Sequence, residues 1–76
     1  MINYRKIVPL RLKYLRDKYD ITQVNLAEQL NISQSTYANW EAGRKMPDIE
    51  KIAQLADIYE TSVDLLLGRT DIDKER

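Results

Sequence analysis

Apolar residues return along this chain at intervals of three and four, the period of an amphipathic helix. Leu12, Leu15 and Tyr19 define a first helix over about Pro9 to Lys18, with proline at the first helical position, where its missing N–H costs nothing. Leu26, Ala27 and Leu30 define a second helix, which Thr22 can cap and Asn31 can end in a left-handed turn. Tyr37, Trp40 and Glu41 share one face of a third helix over about Gln34 to Ala42, capped by Ser33 and ended by Gly43. A fourth helix follows Pro47, with Asp48 as its cap and Ile49, Ile52, Ala53, Leu55 and Ala56 facing inward. A short fifth helix begins at Ser62, carries Val63, Leu65, Leu66 and Leu67, and ends at Gly68. Glycine occurs only at 43 and 68 and proline only at 9 and 47, which leaves room for helices and little for a sheet. The expected fold is all-α, a compact five-helix domain over 9–68, between an N-terminal arm (1–8) and a charged, mobile tail (69–76).

The turn Leu30-Asn31-Ile32-Ser33 is the shortest connection. Two helices joined this tightly cross steeply. Ala27 is small where the next helix must approach, and Ile32 can plug the corner. That geometry turns the start of the third helix outward. Its outer face would carry Gln34, Ser35, Ala38 and Asn39. Forked amides can bond adenine through two hydrogen bonds, and a serine hydroxyl suits several bases. The same residues also fit an ordinary solvated face.

Composition narrows the chemistry. The 76 residues make one domain, with no cysteine and no histidine. Disulfides, thiolate catalysis and cysteine-based metal sites are therefore excluded, and the usual general base is absent. Metal and cofactor are both expected to be none. The starting residues do not resemble a signal peptide, and no segment approaches the ~20 apolar residues that span a bilayer. A cytoplasmic protein is expected. Net charge is zero but polarised. Residues 1–18 hold six basic side chains against one acid, and residues 48–76 hold four against eight. Such a chain can present one cationic face while neutral overall.

The run Thr22-Gln23-x-x-Leu26-Ala27-Glu28-x-Leu30-x-Ile32-Ser33-x-Ser35-Thr36-x-x-x-Trp40-Glu41-x-Gly43-Arg44-x-x-Pro47 resembles the helix-turn-helix family of lambdoid phage repressors, Cro proteins and their bacterial relatives. The stretch Leu55-Ala56-x-x-Tyr59-x-Thr61-Ser62-x-Asp64-x-Leu66-Leu67 continues the resemblance, which covers about residues 11–68. It implies the lambda repressor-like fold and a sequence-specific repressor of double-stranded DNA. It implies base reading by Gln34, Ser35 and Asn39 and a phosphate contact from Gln23. Ser33, Thr36, Arg44, Lys45 and Lys13 are further phosphate candidates, with Arg11 adding to the cationic face, although the basic residues also fit a solvated surface. Gln23 would also brace Gln34. Arg16 and Glu41 would form a structural ion pair. The sequence departs from the family at Asp20, Asn31 and Glu60, where glycine is usual, at Tyr37, where an aliphatic residue is preferred, and at Asp48, where some relatives carry a base.

Three consecutive apolar residues on a two-turn helix, Leu65, Leu66 and Leu67, exceed what one helix buries in its own monomer. At least one is expected to face a partner, making a homodimer. Trp40 and Tyr37 read as core rather than as stacking platforms for bases. A protein-interaction module without DNA affinity is the competing function, favoured by net neutrality and Asp48. An enzyme is disfavoured: Asp71, Asp73 and Glu75 cluster on the tail with no nucleophile–base arrangement. No small-molecule ligand is expected.

Overall fold

A computed structural model describes residues 1–72 of the chain. Among them run five helices and no strand: α1 (Tyr4–Lys18), α2 (Gln23–Leu30), α3 (Gln34–Glu41), α4 (Ile49–Ile58) and α5 (Val63–Leu66). No helix among the described residues is long and apolar enough to cross a membrane.

Four helix starts fall where the sequence places their caps. The Thr22, Ser33, Asp48 and Ser62 side chains accept from the backbone N–H groups of Asn25, Thr36, Lys51 and Leu65. Each satisfies one of the free donors of a first helical turn. The start of α1 differs from expectation. It begins at Tyr4, so the arm expected over 1–8 shrinks to three residues, and Pro9 lies inside the helix and is buried. A proline at this depth forfeits one bond, that to the Arg5 carbonyl. Burial of Val8 and packing of Ile7 against the core offset that loss.

Every helix ends in the same way. Asp20, Asn31, Gly43, Glu60 and Gly68 have positive φ. The residue after each sends its N–H back five positions, from Ile21 to Arg16, Ile32 to Ala27, Arg44 to Asn39, Thr61 to Ala56 and Arg69 to Asp64, at 2.8–3.0 Å. This is the Schellman closure, which satisfies carbonyls the helix itself leaves free.

One core holds the elements together. Val8, Leu12 and Leu15 from α1 meet Leu26, Ala27 and Leu30 from α2, Tyr37 and Trp40 from α3, Ile52, Leu55 and Ala56 from α4 with Tyr59, and Leu65 and Leu66 from α5. Tyr37 and Trp40 pack edge to face at 5.8 Å between ring centres, as core residues. Ile32 plugs the turn between α2 and α3, half-buried against the same cluster.

Three expectations about burial change. Ile49 is 88% exposed and Ala53 is also exposed, so the inward face of α4 is Ile52, Leu55 and Ala56. Leu65 and Leu66 are fully inside the monomer and unavailable to a partner, while Leu67 is half-buried. Short α5 manages this because it lies between α1 and α4 and buries two sides at once. The tail is held at its start: Arg11 Nη1 donates to the carbonyls of Leu65 (3.2 Å) and Thr70 (3.0 Å), and Ile72 packs on the core. The last four tail residues, including Asp73 and Glu75, lie outside the described residues.

Candidate nucleic-acid interface

The turn between α2 and α3 sets the site. Asn31 takes the left-handed conformation at φ 59°, and its N–H reaches the Glu28 carbonyl. Asn accepts this geometry more readily than most side chains. Two residues later Ser33 caps α3. Its hydroxyl accepts from Thr36 N–H at 3.1 Å and shares hydrogen bonds with the Thr36 hydroxyl at 2.8 Å and the Ser35 hydroxyl at 3.3 Å. Gln34, Ser35 and Thr36 are therefore held exposed at the N-terminal end of α3, where free N–H groups and the helix dipole favour an anion.

Behind this exposed end runs a chain of hydrogen bonds. Arg16 clamps Glu41 with two nitrogens, Nε to Oε2 at 2.6 Å and Nη2 to Oε1 at 3.1 Å, and its Nη1 holds the Ile21 carbonyl at 3.0 Å. The expected ion pair between α1 and α3 is present. Its side chains are 16% and 6% exposed. Gln23 Nε2 donates to Glu41 Oε1 at 3.0 Å, and Gln34 Nε2 donates to Gln23 Oε1 at 2.8 Å. Gln23 thus stands beside Gln34 and joins it to the ion pair.

Sequence reasoning missed a member of this cluster. The Tyr37 hydroxyl donates to Glu41 Oε2 at 2.6 Å. The helical spacing of four already places the two residues on one face; the hydrogen bond between them is what the spacing did not give. Burial alone would raise the Glu41 carboxyl. The hydrogen bonds from Arg16, Tyr37 and Gln23 and the Arg16 charge outweigh it and hold the group below its ordinary value. Burial and the bond to Glu41 together push the Tyr37 hydroxyl far above the ordinary tyrosine value, so it stays a donor.

The remaining site residues divide. Asn39 is half-buried, and its Oδ1 accepts from Arg44 Nη1 at 3.2 Å, so these two form one exposed-edge pair. Arg44 and Lys45 are both exposed, directly beyond Gly43. Lys13 makes an exposed pair with Asp17 at 3.0 Å. Arg11 is half-buried on the carbonyls of Leu65 and Thr70, so its guanidinium serves the fold and not a cationic face. Asp48 is occupied as the α4 cap. Lys51, unmarked in the sequence, donates to the Leu30 carbonyl at 3.0 Å and so ties α4 to the end of α2.

Two helices joined by a tight left-handed turn, a capped and exposed second helix start, and an ion pair bracing it from behind define a helix-turn-helix domain. Comparison with known proteins agrees. The profile of the helix-turn-helix family HTH_3, the Cro/C1 type, matches residues 12–66, and the chain belongs to this family. It is 44% identical over 59 residues to the HTH-type transcriptional regulator AnsR of Bacillus subtilis, covering 78% of this chain and 51% of that protein. It is 33% identical over 66 residues to the cryptic phage CTXphi transcriptional repressor RstR of Vibrio cholerae, covering 87% of this chain and 59% of that protein. A crystal structure of a transcriptional regulator from Listeria innocua superposes with a TM-score of 0.78 at 31% identity, over 84% of this chain and 60% of that one. The chain spans about half the length of the curated relatives it matches.

Proposed function

We propose that this domain binds double-stranded DNA in a sequence-specific way and acts as a transcriptional repressor on an inverted-repeat operator, with α3 in the major groove. The observation that carries this reading is the braced, outward-facing start of α3. There Gln34 is exposed and tied through Gln23 to a buried ion pair, an arrangement that an idle polar surface does not require. Gln34 and Ser35 read base edges, with Asn39 one turn further on. Gln23, Ser33, Thr36, Arg44 and Lys45 hold phosphates, with Lys13 at the margin. Its relatives AnsR, a transcriptional regulator, and RstR, a transcriptional repressor, support regulation of transcription.

One such module grips too few base pairs for useful affinity, so the operator-bound form is a homodimer. The surface best suited to a second copy is an apolar groove of about 330 Å³ lined by Met46, Pro47, Ile49, Ala53, Val63 and Leu67, with Ile52 at its floor. Leu67 is the member of the leucine triplet that remains available. Net neutrality favours a second reading, a protein-interaction module on the same fold.

Selection from random-sequence DNA separates the two. Enrichment of a short inverted repeat is expected. Gln34→Ala should then relax one position per half-site, whereas Arg44→Ala weakens every sequence alike. Failure of the wild-type chain to enrich any motif overturns DNA reading and leaves the interaction module.

A further inference from the structure

The hydrogen bonds behind Gln34 have a direction, and one charged group sets it. A carboxylate accepts and never donates. Facing Glu41 Oε1, the Gln23 amide must therefore turn its nitrogen inward, as it does at 3.0 Å, and its carbonyl outward. That carbonyl can only accept, so Gln34 in turn presents its nitrogen, at 2.8 Å. Gln34 is left with one acceptor, its own carbonyl, and one N–H.

This pair of free groups discriminates between purines. The major-groove edge of adenine offers one donor, N6–H, and one acceptor, N7, while guanine offers two acceptors, O6 and N7. With the relay running in the opposite sense, Gln34 would accept from Gln23 and keep both N–H groups free, which suits guanine. We propose that Glu41 is a positioning residue for base choice: acting through Gln23, it locks Gln34 in the orientation that takes adenine and rejects guanine. The inference rests on the DNA-reading role of α3 proposed above.

Tyr37 completes the device. Its hydroxyl and Arg16 Nε both occupy Oε2, which leaves Oε1 for Arg16 Nη2 and Gln23. The carboxylate cannot rotate without breaking two bonds on each oxygen, those on Oε2 both at 2.6 Å. Hydrogen bonding keeps the group ionised despite its burial, so it remains a pure acceptor at neutral pH.

Selection from random-sequence DNA with the wild type, Gln23→Leu and Glu41→Gln chains tests this. The wild type is expected to favour adenine over guanine at one position of each half-site by roughly tenfold or more. Gln23→Leu removes the link, so Gln34 turns freely. Binding weakens overall with the lost phosphate contact, but the adenine-to-guanine ratio at that position alone falls to within about threefold, while other positions keep their preferences. Glu41→Gln, confirmed as folded by circular dichroism, is expected to lower the same ratio, because a neutral amide lets Gln23 face either way. Should it fail to fold, Gln23→Leu decides. An unchanged ratio in Gln23→Leu, or a wild type that selects guanine there, overturns the relay. An unchanged ratio in folded Glu41→Gln overturns the role of Glu41. A wild type that enriches nothing overturns the DNA-reading proposal itself.

Discussion

Tyr37 and Tyr59 are both buried, at 0% and 1% exposure, yet their hydroxyls have opposite fates. That of Tyr37 bonds a carboxylate, while that of Tyr59 has no hydrogen-bond partner among the described residues. Burial pushes the Tyr59 hydroxyl up to about 12, so it too stays neutral. Hydrogen bonds to charged groups contribute about 1.5–3 kcal/mol, and a buried hydroxyl without a partner costs about 1–3 kcal/mol. Tyr37→Phe is therefore expected to lower stability by about 1.5–3 kcal/mol, and Tyr59→Phe to leave it unchanged or raise it by up to about 1 kcal/mol. Urea unfolding of both variants checks this, and equal losses would contradict it. The Tyr37 ring was legible in the sequence, because helical period places it with Trp40 inside. The hydroxyl partners were not, because period says which face a residue lies on and nothing of what its polar tip meets there. The same limit hid Arg11, whose carbonyl partners lie 54 and 59 residues away.

At the scale of elements, the caps were the most legible feature. Four of the five helices start at the Thr, Ser or Asp that the sequence offers, because capping is a local bond with a fixed spacing. The start of α1 was not legible: Pro9 reads as a beginning, but burial of Val8 extends the helix through it. The helix ends carry a testable contrast. Glu60 holds φ 51° with a side chain that gains nothing from it, a geometry that costs a non-glycine residue about 1–2 kcal/mol. After the entropy that glycine adds to the unfolded chain, Glu60→Gly is expected to stabilise by about 0.5–1 kcal/mol, raising the melting temperature by a few degrees. Gly68→Ala is expected to do the reverse, costing about 1–3 kcal/mol. It combines φ 75° with a Cβ that would lie 2.5 Å from Ile7 Cγ1, part of the core-facing surface of α1. Calorimetry that finds both changes destabilising would refute the strain assigned to Glu60.

At the scale of the whole molecule, the sequence offered three leucines for a partner, and burial leaves only Leu67 of them available. Counting Leu65, Leu66 and Leu67 along one helix neglects that α1 and α4 flank it, and only the three-dimensional arrangement shows which apolar groups stay uncovered. Ile49, at 88% exposure, is the clearest of these. Because it contributes little to the monomer core, Ile49→Glu should leave the melting transition of the monomer within about 0.5 kcal/mol. If α4 and α5 carry the dimer, the same change lowers affinity for a two-half-site operator by tenfold or more and leaves a single half-site unaffected. Sedimentation velocity and fluorescence anisotropy read the two effects, and unaltered self-association would exclude this face.

The cations of α1 have a consequence for how the molecule meets its target. Arg11 holds two carbonyls, Lys13 pairs with Asp17, Arg16 with Glu41, and Lys18 lies over the rings of Tyr14 and Tyr19. Four of the six basic side chains of residues 1–18 are thus turned to the molecule's own structure. A domain of zero net charge carries no monopole, and salt screens what its polarised charges project beyond a Debye length of about 8–10 Å. It gains little from long-range attraction and is held only weakly by bulk DNA, since non-specific adhesion scales with the number of phosphates neutralised. If the domain reads DNA as proposed, it should search by brief collisions more than by prolonged sliding, and bulk DNA should sequester few copies of it.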